Sequence, residues 1–276
     1  MHRTVESIIK GQKVIDDGDM TLFRALPQIE RRSLGPFVFL DHYKHDSKRG
    51  IGDQPHPHAG IEVYTYLIKG KMEHSDSRGF KDVLEQGDSQ WIRAGSGILH
   101  AEKPFEGRHG LQLWTALPPE KSEIEPAYKS FKSNVIPIIE KDGATIKVLT
   151  GTVDGVHGLI ESETPTVLSC IYFSRSTSIE IEVNESFELG LYGVLGSFTV
   201  DNKTIQTGEL AVLSTGDKIT IFSQSDDAIV ALIGGEKITW KIFFSGPFVA
   251  TSKEGLSKAE KNFVAGNMGT LDGVPF

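Results

Sequence analysis

The sequence predicts an all-β protein built from two tandem antiparallel β-barrels, closed by one short C-terminal helix. Three observations lead there. Short apolar or alternating runs recur between Gly, Asp, Asn and Pro punctuation, no long segment carries a helical period, and the two halves resemble each other.

Taken in order, the runs fall at 13–15, 37–40, 61–68, 89–92, 111–117 and 145–149, then at 166–173, 178–183, 190–195, 197–200, 210–213, 218–222, 228–234 and 239–243. This spacing of short strands is the cadence of a β-sandwich or barrel. The best helix candidate is 253–262. Between 118 and 126 the chain is rich in proline and charge, which reads as a crossing between two halves. The expected domains are therefore 1–125 and 126–276. Residues 66–71 and 192–197 both read as strand, turn glycine, strand; Glu85-Gln86-Gly87-Asp88 similarly matches Gln206-Thr207-Gly208-Glu209.

The 276 residues are enough for a large core, with 38% hydrophobic and 24% charged residues. A net charge of -8 argues against a general nucleic-acid or membrane-surface binder, which usually carries a basic face. The single cysteine, Cys170, lies in an apolar run and reads as a buried core thiol. It cannot form an internal disulfide, the N-terminus lacks a signal-peptide core, and no apolar run approaches the ~20 residues that span a bilayer. A cytoplasmic protein with no membrane partner and no direct nucleic-acid partner is expected.

Two short stretches carry unusual chemistry: Gly50 to Glu62, with His56-Pro57-His58, and Ala94 to Glu102, with His100-Ala101-Glu102. In an extended strand, residues two apart share a face. His56 and His58 can thus point into one interior, and His100 and Glu102 can do the same from another strand. Three imidazoles and a carboxylate suit one divalent transition metal, with Fe, Zn, Mn, Ni and Cu all compatible, and leave positions open for chemistry.

With their glycine-rich turns, these stretches resemble the two motifs of the cupin superfamily, the jelly-roll barrels. The phrases His56-Pro57-His58-Ala59-Gly60-Ile61-Glu62, Gly97-Ile98-Leu99-His100-Ala101-Glu102, Gly87-Asp88-Ser89-Gln90-Trp91, Gly110-Leu111-Gln112-Leu113-Trp114 and Leu34-Gly35-Pro36-Phe37 resemble the pirin family. Gly246-Pro247-Phe248-Val249 fits its longer members, so the resemblance spans nearly the whole chain. It implies a bicupin with Fe(II) in the N-terminal barrel on His56, His58, His100 and Glu102. Glu62, a ligand in the general cupin motif, becomes a supporting carboxylate in the pocket wall.

The second half lacks the motif residues. Setting Gly196 against Gly70 places Glu182 and Asn184 opposite His56 and His58, and setting Gly208 against Gly87 places Ile221 and Ser223 opposite His100 and Glu102. A metal-free C-terminal barrel is expected. Among the other histidines, His2, His74, His109 and His157 sit in polar contexts and read as solvated, while His42 and His45 are candidates for the mouth of the site.

The resemblance implies quercetin 2,3-dioxygenase chemistry on a small flavonol-like aromatic substrate and O2; Glu102 is the candidate catalytic base, as the carboxylate beside the metal that can take the substrate's proton. The alternative is an iron-dependent regulatory protein that binds protein partners. A cupin isomerase or non-redox metalloenzyme is a third class, for which zinc after native purification would speak.

Overall fold

The protein is described by a computed structural model covering residues 1–47 and 50–271. It is mostly β, with one α-helix among the described residues.

Spatial contacts divide the chain differently from a single cut at 125/126. One compact unit holds Ile15–Leu22, Tyr43–Ser133 and the chain from Thr239 on; the other holds Met1–Val14, Phe23–His42 and Asn134–Ile238. Long-range pairing is the reason. Val5–Lys10 pairs antiparallel with Glu209–Leu213, which draws the first strand into the later unit. The tail joins the earlier unit through a cluster of Ala59, Leu99, Phe248, Ala259 and Met268. Neither pairing leaves a local sequence signal.

In the histidine-bearing unit, a four-stranded sheet runs in the order His56–His58, Ile98–Pro104, Met72–Asp76, Lys81–Leu84. Ala127–Phe131, Ser89–Arg93, Ile61–Lys69 and Arg108–Ala116 are consecutive strands of a larger sheet. Ile61–Lys69 is rich in β-branched and aromatic residues and is buried on both faces up to Lys69. Met72–Asp76 and Lys81–Leu84 are too polar to read as strands from sequence; pairing with their neighbours makes them so.

Gly60 and Gly95 set the turns flanking the motif strands. Gly60 has φ +75°, and a Cβ there would stand 1.9 Å from the Val249 carbonyl oxygen. Gly95 has φ +50° and the same 1.9 Å approach to the Ile124 carbonyl oxygen. Both positions require glycine for space and for backbone conformation.

In the other unit, a seven-stranded sheet orders Val5–Lys10, Glu209–Leu213, Glu188–Leu195, Ile229–Gly235, Thr166–Phe173, Ala144–Thr150 and Ile138–Lys141. A four-stranded sheet orders Thr177–Glu182, Lys218–Ser223, Ser197–Val200 and Lys203–Gln206. One continuous core includes Ile179, Ile181, Phe198, Ile219 and Ile221. Cys170 is fully buried, as its apolar run predicts.

The helix is Lys253–Val264, two residues longer than expected, with Ser252 as its N-cap accepting the Gly255 N–H at 3.0 Å. The run 239–243 is not a strand. Only Phe243 joins one, opening the Phe243–Ser245 arm of a hairpin with Phe248–Ala250.

Candidate metal centre

The strand period brings the three motif histidines together on one face. His56 pairs directly with His100 across the antiparallel ladder, so the two imidazoles leave the sheet on the same face. His58 follows two residues later on that face. Ring centroids lie 4.3 Å apart for His56 and His100, 4.9 Å for His58 and His100, and 5.0 Å for His56 and His58. One ring nitrogen from each of the three falls within 4.8 Å of the others.

The hydrogen bonding leaves nitrogens to spare. His56 Nδ1 faces the Gln54 carbonyl at 2.9 Å, and His58 Nδ1 faces the Pro247 carbonyl at 3.3 Å. Each carbonyl fixes the tautomer with the proton on Nδ1 and the lone pair on Nε2. His58 Nε2 and both nitrogens of His100 are buried without a hydrogen-bond partner. Buried polar atoms are rarely left so. Burial, with His56 nearby, pushes His58 down to about 3 and His100 well below the usual imidazole value. Both rings are therefore neutral at pH 7, the form that ligates a metal. Trp114 packs its ring edge-on against His58, with centroids 4.8 Å apart.

Glu102 is 1% exposed and ringed by donors. Gln90 Nε2 donates to Oε1 at 2.5 Å and Thr65 Oγ1 to the same oxygen at 3.3 Å. Gln112 Nε2 and Arg108 Nη1 reach Oε2 at 3.4 and 3.5 Å. Glu102 does not fall within 4.8 Å of all three histidines; its close grouping is with His100 and His74. Glu62 accepts from Trp91 Nε1 and Thr115 Oγ1, each at 2.9 Å, and from Tyr64 at 3.1 Å. That network commits it to the pocket wall, and it belongs to neither donor group. Neutral imidazoles with unpaired nitrogens beside a buried carboxylate form a donor set that could hold a divalent transition metal.

Comparison with known proteins gives this geometry a family. The Pirin model matches residues 19–115 and the Pirin C-terminal cupin domain model residues 171–269. A pirin-like protein of Caulobacter vibrioides is 34% identical, over 96% of this chain and 98% of its own. The chain belongs to the pirin family. A pirin relative from Vibrio cholerae named as a putative quercetin 2,3-dioxygenase is 29% identical, over 97% of this chain and 98% of its own. The crystal structure of a quercetin 2,3-dioxygenase from Acinetobacter baumannii superposes with a TM-score of 0.89 at 29% identity, covering 97% of this chain and 92% of that one.

Three residues of this pirin's centre differ from the sequence expectation or lie outside it. His74 is fully buried, not solvated, because its strand turns it inward beside Glu102, its cross-strand partner. Arg108 carries no signal in the sequence at all. Its guanidinium is buried, donates to the Ile51 carbonyl at 2.6 Å and to His45 Nε2 at 3.2 Å, and lies over the Tyr43 ring. Asp76 holds His74 at 3.0 Å. For His74 and Asp76 the available signal is alternation in Met72–Asp76, hidden by its polarity.

The remaining histidines sort by contact. His45 is tied to Arg108, which makes it part of the support beneath Glu102. His42 belongs to the other unit, where its Nδ1 meets the Tyr192 hydroxyl at 3.1 Å. His109 is half-buried, and burial with Lys44 and Lys69 nearby lowers it to about 4, contrary to the solvated reading. His2 and His157 are exposed, as expected. No helix of the described residues is long and apolar enough to cross a membrane.

Proposed function

We propose that the chain is an iron-dependent dioxygenase of the quercetin 2,3-dioxygenase type, acting on a flavonol-like phenol. His56, His58, His100 and Glu102 would hold the ion. The observation that carries the reading is the pair of buried, neutral imidazoles of His58 and His100, with unpaired nitrogens, grouped with His56 beside a carboxylate already fixed by protein donors. The names of the Vibrio and Acinetobacter relatives support the reaction class.

When bound, iron supplies Lewis acidity toward a phenolic hydroxyl and redox reactivity toward O2. The chain's own residues do the rest. His56 and His58 keep their Nε2 lone pairs inward because backbone carbonyls occupy Nδ1. Glu102 Oε2, with two long contacts, is the oxygen with capacity left to take the substrate's hydroxyl proton. Oε1 is saturated by the short Gln90 bond and by Thr65, which anchor the carboxylate while the other oxygen works. Trp114 shields His58 from water.

The test starts with metal analysis of protein purified without added metal. Anaerobic loading with Fe(II), followed by quercetin and O2, should release carbon monoxide, and His58→Ala should abolish it. No carbon monoxide from the wild type, or equal release by His58→Ala, overturns the proposal. Bound iron without turnover of any phenol, together with protein capture that depends on iron oxidation state, would replace it with the regulatory reading.

A further inference from the structure

His100 differs from the other two histidines of the centre in one respect. His56 and His58 each have a backbone carbonyl at Nδ1. His100 has no hydrogen-bond partner at either nitrogen, and both are buried. A ligating imidazole uses one nitrogen for the metal, so the other carries an N–H that needs an acceptor. Glu102 receives four donors, and neither nitrogen of His100 is among them.

The neighbouring strand presents an acceptor. Asp76 Oδ1 is occupied by the backbone N–H groups of Arg78 and Phe80, at 2.9 and 3.1 Å. Its Oδ2 lies 3.0 Å from His74 Nε2. A carboxylate only accepts, so His74 directs an N–H from Nε2 at Asp76, and in that tautomer its Nδ1 bears the lone pair. That Nδ1 is buried and has no partner. The His74 ring is also fixed face-on against Tyr128, with centroids 4.1 Å apart and planes 8° from parallel. Donor atoms of His74, His100 and Glu102 lie within 4.8 Å of one another. Two hydrogen bonds of about 2.8 Å through a single water span such a gap.

We propose that His74 is a positioning residue for the metal centre: its Nδ1 accepts the ring N–H of His100 through one water, and Asp76 fixes the tautomer that permits it. The result is a chain from Asp76 through His74 to His100, one imidazole longer than the usual carboxylate–histidine–metal arrangement. It makes His100 a stronger electron donor than a solvated imidazole. The inference rests on the reading of the histidine cluster as a metal site.

The test uses the full chain loaded with Co(II), compared across wild type, His74→Phe, His74→Gln and Asp76→Asn. Phenylalanine keeps the stack on Tyr128 and removes both nitrogens. His74→Phe should lower Co(II) affinity in chelator competition by about ten- to a hundredfold and shift the visible Co(II) bands. His74→Gln, whose amide oxygen can accept, should recover part of both. In Asp76→Asn the amide can donate to Nε2, which moves the ring proton to Nδ1, and it should behave like His74→Phe. The iron form of His74→Phe should show a raised reduction potential, since a weaker donor favours Fe(II).

Unchanged affinity and spectrum in His74→Phe and Asp76→Asn would overturn the inference alone. If His74→Phe does not fold, Asp76→Asn and His74→Gln decide the same question. Two Co(II) per wild-type chain would make His74 a ligand and also overturn it. No Co(II) uptake by the wild type would remove the metal reading together with this one.

Discussion

The chain contains the same four-stranded arrangement twice, with opposite interiors. In one unit, His56 on His56–His58 faces His100 on Ile98–Pro104. In the other, Ile179 and Ile181 on Thr177–Glu182 face Ile221 and Ile219 on Lys218–Ser223. All four isoleucines are buried in the continuous core. The first interior keeps polar atoms out of water without pairing them all; the second has only apolar side chains at these positions. Unpaired buried nitrogens disfavour folding, so the first interior gives up stability for a donor set, and the second supplies packing.

The strand alternation also corrects one detail of the glycine-based registration of the two halves. That registration sets Glu182 and Asn184 opposite His56 and His58, yet Glu182 is exposed and Asn184 lies beyond the strand end. The inward residues of that strand are Ile179 and Ile181, because a slip of one residue exchanges the two faces.

The sharpest way to break the comparison is to remove one residue from each interior. Ile221→Ala should destabilise the protein by about 2–4 kcal/mol, from lost burial plus a residual cavity. His100→Ala in the metal-free protein should be much milder, since it also deletes two unpaired polar atoms. Urea melts without metal check this, and equal losses would erase the contrast. Next in size, Gln90→Leu removes the shortest bond to Glu102 and should weaken metal binding by about tenfold or more, read by chelator competition, while Ile219→Val should leave binding unchanged.

A smaller effect concerns the apolar unit. Burial pushes the Cys170 thiol up to about 12, so almost no thiolate exists at pH 8. Cys170 should stay unmodified by a thiol reagent until denaturant is added; rapid labelling of native protein would show that the sheet around Thr166–Phe173 opens. Smallest is the acid response of His109. Its folded value of about 4 lies below the ordinary imidazole value of 6.5, so the unfolded chain binds more protons between them. Its contribution is fully present above pH 6.5 and declines as pH falls toward 4. His109→Gln should flatten that part of the stability profile, and NMR titration should place the His109 midpoint near 4.

The site is legible where strand geometry alone decides it. His56 and His58 stand two apart in sequence, as do His100 and Glu102, and a period of two puts each pair on one face in any strand. Arg108 is illegible because an isolated arginine ordinarily reads as a solvated surface residue. His74 is hidden by Glu73, Ser75 and Asp76, which read as a polar loop until pairing with Ile98–Pro104 makes them a strand. The fold class follows from the spacing of short runs. The interleaving of the two units does not, since it depends on partners such as Val5–Lys10 and Glu209–Leu213, far apart in the chain.

The carbonyl that orients His58 comes from Pro247, 189 residues further along. On the ribosome, a chain emerging N-terminus first would present all three imidazoles and Glu102 long before that carbonyl exists. The tail from Thr239 and its helix must also arrive before Ala59 and Leu99 are covered. During synthesis the cluster thus stays an unfinished, adaptable set of side chains until Pro247 has been added. Any ion these residues hold would be selected only after the segment carrying Pro247 has folded against them.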